Sequence, residues 1–224
     1  YFLVAGEASG DLHASALIRA LRAEDPEASF AFMGGDKMEA AAGVAPIVHY
    51  REVAFMGIVS VVKNLGKLTR IGRQIQAAMR DFAPDVVIPV DYADFNFRFI
   101  LPYAKKELCC PVIYYILPKL WAWRAGRIRQ LRRYVDLGLS ILPFETSYFS
   151  DRGLRTEYIG NPCVDAKLTY LAEHPEPVER EQMLLLVPGS RQSELRDNLP
   201  EMLTATAAYS QLGWRVVIAG APGL

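Results

Sequence analysis

An aspartate directly follows an apolar strand pattern in residues 89–96 (PVDYADFN). A carboxylate at the carboxyl end of such a strand can act as a general base, provided that a cleft orients it and excludes water. Asp94 in the same segment is well placed to cap the helix that follows, which is a structural role. No such local role applies to Asp91, so Asp91 is the candidate catalytic residue.

A glycine-containing turn follows the first apolar strand pattern, at residues 5–11 (AGEASGD). Glycines permit a tight turn, and the N–H groups at the start of the next helix attract anions. Glu7 and Ser9 fall at the carboxyl edge of the sheet, where α/β proteins bind ligands. The segment departs from GxGxxG, so dinucleotide binding is not expected. An ordinary strand–helix turn, with Asp11 favourable to the helix dipole, is the alternative that the spacing leaves open.

A second turn of this kind lies at residues 186–191 (LVPGSR), where a new strand–helix pattern starts. Backbone N–H groups and an arginine in such a turn suit a diphosphate. The motif is weak by itself, and its place at the first turn of a second domain favours the assignment. The candidate phosphate-binding residues are Gly189, Ser190 and Arg191.

Two segments combine apolar or aromatic residues with basic charge and contain no acid. Residues 55–70, with Lys63 and Lys67, suit an acyl-chain groove or an anionic membrane surface. A core helix with solvated lysines is the alternative. Residues 119–133 hold five arginines near two tryptophans, which suits phosphate or lipid headgroups. RNA binding and a solvated helix face are the alternatives for this second segment.

The composition limits the classes of protein that need to be considered. Hydrophobic residues make up 51% of the 224 residues and the formal net charge is zero, which indicates a packed core and argues against a nucleic-acid partner. The three cysteines and three histidines lack the spacing of a disulfide framework or a metal site, so we expect no metal. We find no apolar run of about 18 residues and expect neither a membrane span nor a signal peptide.

Short Val- and Ile-rich runs alternate with helical patterns, which predicts a doubly wound α/β fold with a parallel sheet. The strands are predicted at 2–5, 30–33, 47–49, 86–90, 112–116, 137–142, 156–159, 184–187 and 214–219. The helices are predicted at 11–23, 36–42, 61–81, 94–108, 124–134, 145–151 and 198–212. An acidic, Pro-rich stretch at 173–181 suits a linker. We therefore predict a first Rossmann-like domain at 1–165, a linker at 166–183 and the start of an incomplete second domain at 184–224.

Together these segments resemble the lipid-A-disaccharide synthase family. The matching stretches occur in the family's order at 5–11, 32–43, 54–65 (AFMGIVSVVKNL), 90–96 (VDYADFN), 117–129 (LPKLWAWRAGRIR), 141–145 (ILPFE), 158–162 (YIGNP) and 186–191 (LVPGSR). They cover nearly the whole chain and are specific as a set. Ala93 and Leu117 depart from the residues that the family pattern favours.

The resemblance implies a GT-B fold and an inverting glycosyltransferase of lipid A biosynthesis. The enzyme would transfer 2,3-diacylglucosamine from UDP-2,3-diacylglucosamine to 2,3-diacylglucosamine 1-phosphate, without a cofactor. Asp91 would be the base, and Arg191 would stabilise the diphosphate that leaves. Acceptor or acyl-chain contacts would come from Met56, Ile58, Val59, Val62 and Asn96. Contacts with phosphate or with an anionic inner membrane would come from Lys63, Lys67, Arg124 and Arg127.

The resemblance also implies a location in the cytoplasm, peripheral to the inner membrane, and the exposed edge of an incomplete sheet suits pairing into a homo-oligomer. Two other functions stay open at this point. One is another GT-B sugar-nucleotide enzyme, such as a transferase with a polyprenyl-linked acceptor or a UDP-sugar epimerase. The other is a non-catalytic module that binds lipid or membrane.

Overall fold

The computed structural model describes residues 1–54, 65–176, 181–190 and 192–220. The chain divides into two compact units, Tyr1–Tyr170 and Leu171–Leu224. The domain boundaries predicted above stay a prediction, and one helix, Pro162–Glu173, occupies the start of the stretch predicted as a linker.

The first unit is built on a seven-stranded parallel sheet in the order β3-β2-β1-β4-β5-β6-β7. Its strands are β1 (Phe2–Ala5), β2 (Ala31–Gly34), β3 (Val48–His49), β4 (Val87–Val90), β5 (Ile113–Tyr115), β6 (Leu137–Ser140) and β7 (Thr156–Tyr158). This order places β1 and β4 side by side although two strands separate them in the chain. The doubly wound parallel sheet predicted from the sequence is confirmed.

Helices connect these strands, as a parallel sheet requires, and one more helix follows the last strand. They are α1 (Ala8–Glu24), α2 (Asp36–Ala42), α3 (Arg51–Ala54), α4 (Leu65–Phe82), α5 (Ala93–Phe95), α6 (Leu101–Lys106), α7 (Ile128–Tyr134), α8 (Pro143–Ser150) and α9 (Pro162–Glu173). A 3-10 turn, Ala125–Arg127, precedes α7. None of the helices in the described part of the chain is both long and apolar enough to span a membrane.

The sheet is buried on both faces. Phe2 and Val4 of β1 belong to one core cluster, and Leu3 and Ala5 belong to another, because successive side chains of a strand point to opposite faces. All four side chains have no exposed surface. Burying an apolar side chain of the size of Leu or Phe contributes roughly 1.5–3 kcal/mol, so β1 anchors the centre of the unit.

The segment after β4 is helical but not uniform. The sequence predicts one helix at 94–108, whereas the structure has α5, then a π-helix at Asn96–Ile100, then α6. The ring of Phe99 in the π-helix packs against Gly72 of α4, where an added Cβ would lie 2.5 Å from the ring. A π-helical turn is rare and occurs often at functional sites.

The second unit contains β8 (Met183–Leu186), α10 (Gln192–Gln211) and β9 (Arg215–Ile218), with the two strands paired in parallel. The helix begins six residues before the predicted start at 198 and contains Pro200 in its interior. A proline inside a helix removes one backbone hydrogen bond, and here the helix continues through that position.

Candidate functional site

The strand order defines a switch point between β1 and β4. From β1 the chain proceeds outward to β2 and β3, and from β4 it proceeds in the opposite direction to β5, β6 and β7. Ala5 at the end of β1 lies in register with Val90 at the end of β4. Ligands of doubly wound proteins bind outside the carboxyl ends of the strands at such a point. The segments that contain Glu7 and Asp91 follow these two strand ends.

Asp91 occupies a turn with unusual backbone geometry. Asp91 and Tyr92 have φ angles of 44° and 47°, in the left-handed region that residues with a side chain rarely adopt. The carbonyl of Asp91 accepts two hydrogen bonds of 2.7 Å, from Asn96 Nδ2 and from the Tyr114 hydroxyl. The N–H of Asp91 donates to the Tyr115 carbonyl at 3.1 Å. The backbone is thus held while Asp91 itself is exposed.

Tyr92 brings the first glycine turn and the Asp91 turn together. A Cβ added at Gly6 would lie 2.1 Å from Cδ1 of Tyr92, so the ring occupies the space that a side chain at position 6 would need. Burial raises the pKa of Tyr92 to about 12, and the carboxylates of Glu7 and Asp94 act in the same direction. The hydroxyl therefore stays protonated at neutral pH. Two segments selected independently from the sequence form one contiguous surface.

Glu7 and Ser9 lie at the start of α1, beside this surface. Glu7 is the N-cap residue in an extended conformation, and its side chain makes no capping hydrogen bond to the helix. It is half-buried, and Ser9 is exposed. Their assignment to the ligand cleft stays a prediction.

Asp11 has a role that the local pattern did not indicate. It is buried, and its carboxylate accepts hydrogen bonds from the N–H groups of Gly35 (2.8 Å), Lys37 (3.2 Å) and Met38 (3.1 Å). These N–H groups belong to the first turn of α2, which has glycine at its N-cap position. Asp11 of α1 therefore caps the neighbouring helix α2 and fills the anion-binding position at that helix N-terminus.

Asp94 does not cap its helix, because the N-cap residue of α5 is Tyr92. Its carboxylate instead forms ion pairs with Arg124, at 2.6 Å, and with Arg127. Arg124 also lies over the ring of Trp123, with 4.4 Å between Cζ and the ring centroid. The two arginines predicted to contact phosphate or membrane are thus held beside the carboxyl end of β4.

In addition to the ion pairs that Asp94 makes with Arg124 and Arg127, Glu145 also holds the loop between β5 and α7. This buried carboxylate accepts hydrogen bonds from Trp121 Nε1 at 3.0 Å and from the Leu142 N–H at 3.3 Å. Trp121 makes an edge contact with Phe144 at 5.1 Å between centroids. Phe144, Trp121 and Trp123 are 51%, 41% and 61% exposed, so aromatic surface borders the loop. The family resemblance includes Trp121, Trp123 and Glu145, but it implies no role for Glu145.

The second glycine turn is ordered by its own helix. Gly189 has a φ angle of 124°, and the Ser190 N–H donates to a carboxylate oxygen of Glu194 at 2.9 Å. Asn198 Nδ2 donates to the Pro188 carbonyl at 2.9 Å. The Ser190 N–H, which the sequence predicts as a diphosphate ligand, thus already donates a hydrogen bond to the Glu194 carboxylate.

Other predicted residues lie outside the described part of the chain. They are Met56, Ile58, Val59, Val62, Lys63 and Arg191. Lys67 lies in the first turn of α4 and is half-buried. Among the residues that the structure describes, no three His, Cys, Asp or Glu side chains converge as the ligands of a metal ion would.

Solved structures of other proteins share this fold. A UDP-GlcNAc 2-epimerase from Neisseria meningitidis, solved with UDP-GlcNAc, superposes on 99% of this chain and 66% of its own, with a TM-score of 0.66 and 13% identity. A structure titled glycotransferase of kitacinnamycin superposes on 99% of this chain and 67% of its own, with a TM-score of 0.56 and 16% identity. The fold is α/β of the GT-B type, as predicted.

Sequence comparison then assigns the family. A family model described as lipid-A-disaccharide synthetase matches residues 1–214. Lipid-A-disaccharide synthase from Myxococcus xanthus is 40% identical over 98% of this chain and 58% of its own length. The enzyme from Acidobacterium capsulatum is 38% identical over 95% of this chain and 53% of its own length. The chain belongs to the lipid-A-disaccharide synthetase family, and it spans just over half the length of these relatives.

Proposed function

We propose that the protein is an inverting glycosyltransferase of lipid A biosynthesis. It transfers 2,3-diacylglucosamine from its UDP donor to 2,3-diacylglucosamine 1-phosphate. The proposal rests on the family assignment together with one observation: Asp91 is an exposed carboxylate on a fixed turn at the switch point of the sheet.

In this reaction the carboxylate of Asp91 removes the proton of the acceptor 6-hydroxyl. The oxygen then attacks the anomeric carbon of the donor, and the bond from that carbon to the diphosphate oxygen breaks with release of UDP. A positioned general base contributes typically about 10²–10⁴-fold to such a step. Since attack and departure occur on opposite faces, the configuration inverts and the product is the β-1′,6-linked disaccharide 1-phosphate.

The remaining predicted residues have roles as ligands of phosphate and acyl chains. The residues proposed to bind the donor or its phosphates are Glu7, Ser9, Gly189, Ser190 and Arg191. The Ser190 N–H would do so in place of its hydrogen bond to Glu194. Met56, Ile58, Val59 and Val62 contact acyl chains. Asn96, which the family resemblance implies as a further acceptor contact, has no exposed surface and is given no substrate contact in this proposal. Lys63 and Lys67, together with Arg124 and Arg127, meet the acceptor phosphate or the anionic inner leaflet.

Two structural observations bear on these assignments. The aromatic surface of Trp121, Trp123 and Phe144 beside Arg124 suits an amphiphilic ligand, because it combines apolar area with a cation. The pairing of both arginines with Asp94 means that phosphate binding requires competition with that carboxylate or a shared arrangement. The combination of exposed aromatic side chains and a cation is the basis on which we propose a peripheral location at the cytoplasmic face of the inner membrane.

The test is UDP release by the full-length gene product that contains residues 1–224. Diacylated donor and acceptor are compared with the matching substrates that lack both acyl chains. We expect release only when both diacylated substrates are present, and formation of the disaccharide phosphate in equal amount. Turnover of UDP-sugar without any acceptor would instead support an epimerase or hydrolase.

Vesicle binding separates the catalytic proposal from a non-catalytic lipid module. The protein is mixed with vesicles of anionic or zwitterionic phospholipid and sedimented. Binding to anionic vesicles without UDP release under any substrate combination would contradict the proposed enzyme. The epimerase alternative rests on the likeness of fold alone, at 13% identity.

A further inference from the structure

We infer that Asn96 and Tyr114 are positioning residues for Asp91: their two hydrogen bonds to its backbone carbonyl fix the turn that presents the carboxylate. This inference rests on the proposed function, because it concerns the base of that reaction. It assigns Asn96 a role different from the acceptor contact predicted from the sequence. It also gives a role to Tyr114, which the sequence indicates only as a residue of a buried strand.

The turn is strained and therefore needs support. Asp91 and Tyr92 are consecutive residues with positive φ, and neither is glycine. Such conformations persist only when surrounding contacts determine them. Polar contacts to the Asp91 peptide unit include those of Asn96, Tyr114 and the β5 backbone at Tyr115. The two side-chain donors hold the carbonyl side of this turn.

The two donors are themselves fixed by burial. Asn96 and Tyr114 have no exposed surface. Burial raises the pKa of Tyr114 above its usual range, and the neighbouring Asn96 side chain opposes only part of this effect. The Tyr114 hydroxyl therefore stays protonated and remains a donor at neutral pH.

Asn96 connects the Asp91 turn with the start of the π-helix. Asn96 begins the π-helix, and its side chain bonds to a residue five positions earlier. Asn96 Oδ1 is buried without a hydrogen-bond partner among the described residues. The side chain is held by the hydrogen bond that its Nδ2 donates to the Asp91 carbonyl.

The experiment compares Tyr114→Phe and Asn96→Ala with the wild-type full-length gene product. We expect each variant to lower kcat about fivefold to tenfold, the rate equivalent of one net hydrogen bond, with KM changed less than about twofold. Amide hydrogen exchange in residues 91–96 should become faster in both variants. Tyr134→Phe is the matched control, because Tyr134 is a buried tyrosine of the same core cluster on α7, and it should change neither quantity.

Tyr114→Phe retains the ring and its packing, so it separates positioning from folding if Asn96→Ala is unstable. Unchanged kcat together with unchanged exchange in residues 91–96 of Tyr114→Phe would overturn the inference. So would a rise in KM at constant kcat. Near-normal turnover by Asp91→Asn would refute the proposed base instead, and the exchange rates would still decide whether the two donors hold the turn.

Discussion

Replacement of Asp11 by alanine tests the structural framework of the site. The carboxylate of Asp11 is the cap of α2, although Asp11 lies in α1 and 24 residues before the first of its partners. Its removal leaves the N–H groups of Gly35, Lys37 and Met38 without their acceptor. We expect the first unit to lose stability without a change of fold.

The magnitude follows from the burial of these hydrogen bonds. The bonds to Gly35 and Met38 are buried, and the bond to Lys37 is partly buried, where water can replace the carboxylate. Each buried donor left unsatisfied costs about 1–3 kcal/mol, so Asp11→Ala should lower the free energy of unfolding by about 2–6 kcal/mol. Asp11→Asn retains one acceptor oxygen but not the charge, and neutral bonds are weaker, so it should lose about 1–2 kcal/mol.

Urea unfolding followed by far-UV circular dichroism measures this loss on the chain itself. Glu27→Ala is the control, because Glu27 is an exposed acid in the loop after α1. We expect the control to differ from wild type by less than about 0.5 kcal/mol. An Asp11→Ala variant that stays within that same range would refute the assignment of Asp11 as the cap of α2.

Three further predictions address the site. Gly6→Ala places a Cβ against the Tyr92 ring, so it should lower kcat at least about tenfold and stability by about 1–3 kcal/mol, measured by UDP release and urea unfolding. Arg124→Gln and Arg127→Gln should each raise KM for the phosphorylated acceptor about threefold to tenfold, since each removes a cation beside the site, with a smaller effect on kcat in the same assay. Burial lowers the pKa of His13 below 6.5, so the unfolded chain binds more protons there and stability should fall as pH decreases below 6.5. His13→Gln should remove that part of the pH dependence in urea unfolding between about pH 8 and pH 5.

The control for Gly6→Ala is the same substitution at another glycine, and each prediction has a result that would contradict it. Gly66→Ala adds a methyl group where no atom lies within 4 Å, and it should raise stability by about 0.5–1 kcal/mol. A Gly6→Ala variant with normal turnover would show that Tyr92 does not govern the Asp91 turn. An unchanged KM in both arginine variants would remove Arg124 and Arg127 from the acceptor site. A pH dependence that survives in His13→Gln would assign it to other groups.

The sequence predicts the sheet well because its signal is local. Each strand is a short apolar run, and the strands of a sheet covered on both faces must be apolar throughout. Asp91 is also predictable from the sequence, because it directly follows the apolar residues of β4, which end at Val90. The π-helix was not predicted, because its periodicity differs from that of an α-helix over only five residues.

The roles that the sequence does not predict depend on contacts between segments that are distant in the chain. From the sequence, Asp11 is predicted to interact favourably with the dipole of its own helix. Only the tertiary fold shows that it caps α2. Glu145 lies in the stretch 141–145 and bonds to Leu142 three residues earlier, but its bond to Trp121, 24 positions away, is visible only in the structure. Tyr114 lacks a local signal, because its hydroxyl bonds to Asp91, 23 positions away. The segment 90–96 indicates Asn96 as a site residue, but only the structure shows that its side chain is buried.

The central claim, that Asp91 is the base of the transfer, is tested most directly by the rate of UDP release from Asp91→Asn. The full-length gene product is assayed with diacylated donor and acceptor, beside Asp85→Asn, which makes the same chemical change at the opposite end of β4. We predict that Asp91→Asn lowers kcat by about 10²–10⁴-fold with unchanged stability, and that Asp85→Asn retains wild-type turnover. Turnover by Asp91→Asn within about twofold of wild type would contradict the account.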